Sequence, residues 1–165
     1  MKKRVIDVIR SEMYRMLLCN ASSLRDKAII ELLTGDKIWP ITLPRITLED
    51  LDLTTGELST TEGVVKLREN TIKLVTSYIE TERSLLEEQA DAVSEQRPTQ
   101  LFICLTAGKI MPLEDNDVDS LLCNLAEKAG IDRCSLDQFL LTDYIIAAHA
   151  ATAKYIATHM NKSGD

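Results

Sequence analysis

The stretch 22–58 constrains the fold of this 165-residue chain more than any other. Apolar residues return every three or four positions over 23–33, which predicts an amphipathic helix that ends at Gly35. Two prolines then forbid a continuous helix across 36–44. The apolar residues of 46–53 predict a short strand or extended edge, followed by a Thr-Thr-Gly turn and a second strand. A buried helix, an irregular linker and a hairpin therefore form the expected frame.

The rest of the chain predicts mostly helix. Helices are expected from Ser11 to about 18, from Glu69 to about 95, from Asn116 or Asp117 to Ala129, and from Ser135 toward Gly164. Leu58 and 64–65 predict a hairpin, while 101–105 predicts a strand or a buried connector. The fold class is therefore mainly α with a small antiparallel β-sheet of two to three strands, in a single domain over 1–165.

The charge of the chain limits what it can bind without sequence preference. Nineteen Lys and Arg residues against 26 Asp and Glu give a formal net charge of -7. A broadly basic face for phosphate backbones is therefore not expected, although one local basic patch is compatible with this balance. The segment 80–95 holds six acids and one base, a pattern typical of a solvated face.

The cysteines predict neither a metal site nor a disulfide framework. The four of them are widely spaced, no C-x-x-C pair occurs, and the chain has only two histidines. Buried free thiols in a reducing compartment are the simpler expectation, with no metal and no cofactor. The basic start at 1–4 lacks the apolar run of a signal peptide, and no stretch is long enough to span a bilayer. A cytoplasmic protein is expected.

Six phrases of the sequence, taken in order, carry a family resemblance. They are residues 11–18, 24–33, 48–57, 71–83, 101–102 and 121–131. Together they resemble the catalytic domain of the tyrosine recombinases, the phage-integrase family. The resemblance covers residues from about 5 to 133 and implies that family's fold, without the separate N-terminal DNA-clamping domain that is usual in it.

The resemblance implies positions at which catalytic cations are expected. The family uses a tyrosine that attacks a DNA phosphate, while two arginines and a histidine or lysine bind the phosphate oxygens and protonate the leaving oxygen. The position of the first arginine, two residues after Gly35, is Lys37, which keeps the charge but loses the two-pronged fork. Arg45 follows in the same linker.

The family's hairpin lysine has no counterpart of the right charge. The residue just before Gly63 is Glu62, and the nearest cations are Lys66 and Arg68. The resemblance thus implies four candidates for contact with DNA phosphates, namely Lys37, Arg45, Lys66 and Arg68. The simpler interpretation of each is a solvated surface charge.

The second active-site box of the family, H-x-x-R, lacks its arginine in either alignment, because no arginine follows Arg133. One alignment places the box at 137–140, and Thr152-Ala153-Lys154-Tyr155 then echoes the T-x-x-Y of the nucleophile. The other uses the longer match at 155–164, so that the box falls near 150–153 and the chain ends before the segment of the nucleophile. Tyr155 is the candidate nucleophile, or else a packed or surface tyrosine.

Three hypotheses follow. The first is a catalytically degenerate recombinase-like domain that is DNA-associated or regulatory in DNA recombination or integration. Its expected partners are duplex DNA, bound weakly, and a second copy of the chain or a recombinase. The second is a protein–protein interaction or oligomerisation module without a DNA role, which uses 80–95 or the C-terminal helix. The third is an active recombinase that borrows catalytic groups from a neighbouring subunit; the lack of any arginine in the last 32 residues disfavours it.

Overall fold

A computed structural model describes residues 2–90 and 97–141. Its helices are α1 (Lys2–Asn20), α2 (Leu24–Ile30), α3 (Glu69–Ser77), α4 (Ser84–Gln89), α5 (Asp115–Ala129) and α6 (133–141). Two π-helical turns adjoin them: Glu31–Gly35 extends α2, and Tyr78–Arg83 joins α3 to α4. Short 3-10 turns occupy Leu43–Arg45 and Leu48–Asp50. The strands are β1 (Leu51–Asp52), β2 (Glu57–Thr60), β3 (Gly63–Lys66), β4 (Ile103–Thr106) and β5 (Lys109–Pro112).

The strands form two small antiparallel sheets. One has the order β1-β2-β3, with Leu58 opposite Val65, and the other is the hairpin β4-β5. Mainly helical structure with small antiparallel sheets confirms the predicted fold class. Strand β5 of the second hairpin was not predicted, since the sequence suggested a strand only over 101–105.

The helix predicted over 23–33 is confirmed, together with its N-cap. The hydroxyl of Ser23 accepts a hydrogen bond from the backbone N–H of Asp26 at 3.0 Å. The carboxylate of Glu82 accepts from the N–H groups of Leu24 and Arg25, at 2.6 and 3.0 Å. Side chain and neighbouring helix together satisfy three of the donors that a helix start leaves unpaired.

Three predicted helix starts are wrong, two of them because a different residue caps the helix. The first helix begins before Ser11 and runs through it, since nothing in 5–18 breaks a helix. Glu114 caps α5, and its N–H donates to the Asp117 carboxylate at 2.8 Å, so the start lies before Asn116. Asp132 accepts from the N–H of Ser135 at 3.0 Å, so α6 starts ahead of the predicted cap.

The strand predicted over 46–53 is reduced to the two residues of β1. Thr47 donates from its N–H and its hydroxyl to the Asp50 carboxylate, at 2.8 and 2.7 Å, which closes a 3-10 turn instead. Backbone bonds tie this segment to the stretch before β4, with Leu101 N–H donating to Ile46 O at 2.8 Å. The long helix begins at Glu69 as predicted, but it ends before the expected 95, because α4 stops at Gln89 and Ala90 takes an extended conformation.

The core is mainly aliphatic and includes one stacked aromatic pair. The rings of Tyr78 and Phe102 stack with centroids 5.5 Å apart, and both side chains are buried. Around this pair lie fully buried aliphatic residues from several elements: Leu17, Ile29, Ile30, Leu32, Leu33, Leu43, Leu58, Leu101 and Ile103. Burying each such side chain contributes roughly 1.5–3 kcal/mol. The helix α2 and its π-helical turn therefore supply part of this core.

Candidate functional site

The position expected for a catalytic arginine lies just after the π-helical turn that extends α2. Thr34 is buried, and its hydroxyl donates to Ile30 O at 2.6 Å. Asp36 follows, and Lys37 then takes a left-handed conformation with φ of 62°. A left-handed lysine is uncommon, and such backbone outliers gather at functional sites. The ammonium of Lys37 donates back to Thr34 O, so it lies against its own turn.

Two buried carboxylates flank this turn. The side chains of Glu31 and Asp36 are 2% and 1% exposed. The guanidinium of Arg68 forms an ion pair with Glu31 and lies 3.4 Å from the Asp36 carboxylate, while the Arg68 N–H donates to Asp36 at 2.9 Å. Buried carboxylates need such partners because desolvation of an unpaired charge is costly.

Hydroxyl groups from two further helices complete the network. The phenol of Tyr14 on α1 donates to Glu31, and the hydroxyl of Thr71 on α3 donates to Asp36. Burial, reinforced by the hydrogen bond to Glu31, raises the pKa of Tyr14 to about 12. This cluster of Tyr14, Glu31, Asp36, Arg68 and Thr71, the carboxylate network, ties α1, α2 and α3 together.

Gly35 makes room for the arginine of this network. A Cβ atom at position 35 would overlap the guanidinium of Arg68. The glycine that the sequence placed as a helix stop therefore also seats a side chain from the loop before α3. Its φ is not in the left-handed region, so steric room rather than backbone freedom accounts for it.

The charges around the turn sum to zero. Glu31 and Asp36 supply two negative charges, and Lys37 and Arg68 supply two positive ones. A site that stabilises the developing negative charge of phosphoryl transfer needs an excess of fixed positive donors. The described part of the turn carries no such excess, and its one arginine is held by carboxylates.

The other two candidate cations are held by different parts of the fold. The Arg45 guanidinium donates to Ile41 O and lies 3.4 Å from the carboxylate of Asp115 on α5. The Lys66 ammonium, at the end of β3, donates to Thr55 O in the β1–β2 turn. Of the four, Arg68 therefore packs on the turn that carries Lys37, while Arg45 and Lys66 have partners elsewhere.

Glu62 occupies the tip of the β2–β3 hairpin, where the family resemblance places a lysine. Its side chain is exposed, and the hydrogen bond from the Thr61 hydroxyl lowers the pKa of its carboxyl below the usual range. Glu62 is thus a carboxylate at neutral pH, with the wrong charge for a phosphate. Tyr155, the remaining candidate for the site, lies outside the described residues.

Sequence reasoning named Arg68 but missed its partners. Glu31 is an acid inside the apolar run of α2, and a buried charge in such a run signals a paired site. Tyr14 and Thr71 gave no sequence signal, since they lie 17 and 35 positions from their partners.

The described part of the chain has neither a metal-binding cluster nor a membrane-spanning helix. No group of three or more His, Cys, Asp or Glu side chains among residues 2–90 and 97–141 is placed to hold a metal ion. Over the same residues, no helix has the length and apolar character needed to cross a membrane.

Comparisons with known proteins give a likeness of fold. No family model matches the sequence, and no curated protein matches it. Among solved structures, XerA recombinase is similar, with a TM-score of 0.62 and 18% sequence identity over 82% of this chain. The chain spans 47% of the length of that recombinase. At this identity the match shows a recombinase-like fold and nothing finer, in agreement with the fold that the sequence resemblance implied.

Proposed function

We propose that this chain is a catalytically degenerate tyrosine-recombinase-like domain that has lost strand cleavage. It acts in association with DNA or as a regulatory partner in DNA recombination or integration. The recombinase-like fold supports the class of protein. Loss of cleavage and association with DNA go beyond the fold, and different residues support each of them.

The observation that carries the loss of cleavage is the charge balance at the turn after α2. A lysine, Lys37, stands where a fork-shaped donor would grip a phosphate, and its ammonium donates to Thr34 O. Two buried carboxylates lie beside it and hold Arg68. Removing one fixed donor from a transition state of this kind costs about 10²–10³ in rate, so loss of several leaves no useful activity.

Two exposed cations on separate parts of the surface support association with DNA. Lys66 and Arg45 lie outside the carboxylate network. Their exposed side chains donate to the backbone oxygens of Thr55 and Ile41. Because the net charge is -7, binding through two such cations has low affinity. The binding constant should fall by roughly one power of the salt concentration for each phosphate neutralised.

A cleavage assay tests the loss of chemistry. The full chain is incubated with a nicked recombination-type duplex that traps covalent intermediates, and adducts are resolved on a denaturing gel. We expect no adduct, from the native chain or from Lys37→Arg, because the second-box arginine is also missing. An adduct that disappears in Tyr155→Phe would overturn the proposal.

Duplex binding tests the proposed association with DNA. Anisotropy of a labelled 30-base-pair duplex is measured at several salt concentrations with the native chain, Lys66→Ala and the matched control Arg15→Ala, whose exposed side chain pairs only locally with Glu12. We expect weak binding that salt abolishes and that Lys66→Ala reduces several-fold. Absence of any salt-dependent binding would leave an interaction module as the function of the domain.

A further inference from the structure

An apolar groove lies on the face formed by α5, α6 and the linker after the π-helical turn. Its cavity volume is about 530 Å³. We call it the Trp39 groove, and its lining residues from the linker are Trp39, Pro40 and Ile41. Its helical walls are the apolar side chains Val118, Leu122, Leu136, Leu140 and Leu141. The groove is separate from the carboxylate network, and of the candidate DNA contacts Arg45 lies beside it, 3.4 Å from Asp115.

The groove gathers side chains that a folded domain would normally bury. In the described part of the chain, eight large apolar residues are exposed, and three of them line this one groove. These are Trp39, Ile41 and Leu141, at 38%, 56% and 55% exposure. Clustered exposure of this kind, unlike single exposed residues, marks an interaction surface. Tryptophan is also among the residues that most often dominate binding energy.

The linker presents this surface in a fixed shape. Ile38 and Leu43, on either side of the exposed segment, are 3% and 1% exposed and anchor it in the core. The N–H of Thr42 donates to Trp39 O at 2.9 Å, which closes a turn around Pro40. A preformed groove loses little conformational entropy when a partner binds, so ordering of the site subtracts little from the binding free energy.

The rim of the groove is acidic. Asp115, Asp119 and Asp137 line it, and their side chains are 57%, 62% and 58% exposed. One lining cation, Arg133, bridges Asp119 and Asp137 at 2.7 and 3.0 Å. Asp115 has a looser partner, since Arg45 lies 3.4 Å away. Three carboxylates against these two guanidiniums leave the rim negative, and exposed pairs of this kind are weak enough to exchange partners.

We propose that the Trp39 groove receives a short amphipathic helix of a partner protein, with an apolar stripe flanked by Lys or Arg. The groove follows α5 from Asp115 to Leu122, seven residues or roughly 10 Å, which matches about two turns of a bound helix. Apolar anchors at i, i+3 or i+4, and i+7 fill it, and basic residues beside them meet Asp115 and Asp119. The walls offer helices and no free strand edge, so a helix fits better than an added strand.

The single tryptophan of the chain reports directly on this binding. The full chain is titrated with a synthetic 14-residue helical peptide that carries leucines at i, i+4 and i+7 and lysines beside them, and Trp39 fluorescence is followed. Controls are a scrambled peptide of the same composition and a charge-reversed peptide with glutamates in place of the lysines. We expect saturable binding by the first peptide and at least tenfold weaker binding by both controls. Equal binding by either control would overturn the proposal.

Variants locate the contact on the protein. Ile41→Asp should lower the affinity for the peptide at least tenfold. The double variant Asp115→Asn with Asp119→Asn should lower the affinity several-fold and reduce the salt dependence of binding. Val64→Asp on β3 is the matched control, since Val64 is 67% exposed and lies away from the groove. Circular dichroism checks that each variant is folded. Peptide binding unchanged in Ile41→Asp would sink the proposal.

Sedimentation of the chain alone separates a foreign partner from a second copy. The chain is expected to stay monomeric at the concentrations of the peptide titration. A concentration-dependent dimer that Ile41→Asp dissociates would assign the groove to self-association and overturn the proposed partner helix.

Discussion

The guanidinium of Arg68 forms an ion pair with Glu31, whose side chain is only 2% exposed. The arginine comes from the loop between β3 and α3, and the glutamate lies in the π-helical turn that extends α2. The same guanidinium lies 3.4 Å from Asp36. One half-exposed cation therefore lies against two buried carboxylates, next to the position at which the sequence resemblance implies a catalytic arginine.

Removing that cation should destabilise the fold strongly. Arg68→Ala leaves Glu31 and Asp36 buried without their ion partner. Loss of one partner of a fully buried pair costs about 3–5 kcal/mol, and since the arginine side chain is 45% exposed we expect about 2–3 kcal/mol here. Urea unfolding followed by circular dichroism measures the change. Arg15→Ala, at an exposed pair with Glu12, should cost less than about 1 kcal/mol. Equal losses in the two variants would contradict the role assigned to Arg68.

Gly35→Ala should act through the same arginine. The added methyl group overlaps the guanidinium, so Arg68 must shift from its place against Glu31 and Asp36. The loss of unfolding free energy should resemble that of Arg68→Ala, and the double variant should be barely worse than either single one, because the two changes remove one interaction. Gly63→Ala is the control: a Cβ there meets nothing within 4 Å, and its cost comes from a φ of 131° alone. Full additivity between Gly35→Ala and Arg68→Ala would rule out the shared mechanism.

The parts of the fold that the sequence predicted are those encoded by neighbouring residues. The helix over 23–33 and the pairing of Leu58 with Val65 follow from apolar periodicity and turn chemistry. The second hairpin was missed because β5 has four residues and ends in Pro112, too short for an alternation to be read. The π-helical turns were missed because their register differs from the 3.6-residue period.

The candidate site was placed by the family resemblance, and its role stays a prediction. Counting from Gly35 located Lys37, but its left-handed backbone and its contact with Thr34 O belong to the folded turn. Arg68 was expected to be a solvated charge or a DNA contact. Its pairing with Glu31, 37 positions away, depends on how α2 packs against α3. Contact of Lys37, Arg45, Lys66 and Arg68 with DNA stays a prediction.

Tyr14 should make the fold sensitive to alkali. Its pKa is raised to about 12 by burial and by the hydrogen bond to Glu31, against about 10 in the unfolded chain. A raised folded pKa means that the folded state holds its proton more tightly, so this stabilisation is complete below pH 10 and is lost between pH 10 and 12. Melting temperature measured from pH 8 to 12 should fall more steeply in the native chain than in Tyr14→Phe. Identical slopes would show that Tyr14 titrates normally.

Arg83 should be the residue that holds the segment before β4 in place. The residue is 4% exposed, and its guanidinium donates to the backbone oxygens of Pro98, Gln100 and Leu101 at 2.9, 3.1 and 3.3 Å, as well as to the Glu87 carboxylate. Burial lowers its pKa below that of an ordinary arginine, but the group stays charged at neutral pH.

Arg83→Met keeps the aliphatic stem and removes every one of those bonds. Each carbonyl left without a donor costs about 1–3 kcal/mol, so we expect a loss of about 3 kcal/mol or more in unfolding free energy. Arg83→Lys should recover only a minor part of it, because an ammonium on a single stem cannot reach three carbonyls as a planar fork does. Arg97→Met, at a side chain 69% exposed, is the matched control and should change stability by less than about 0.5 kcal/mol. Urea unfolding measures all three variants, and full recovery in Arg83→Lys would show that charge alone, rather than the fork, holds the segment.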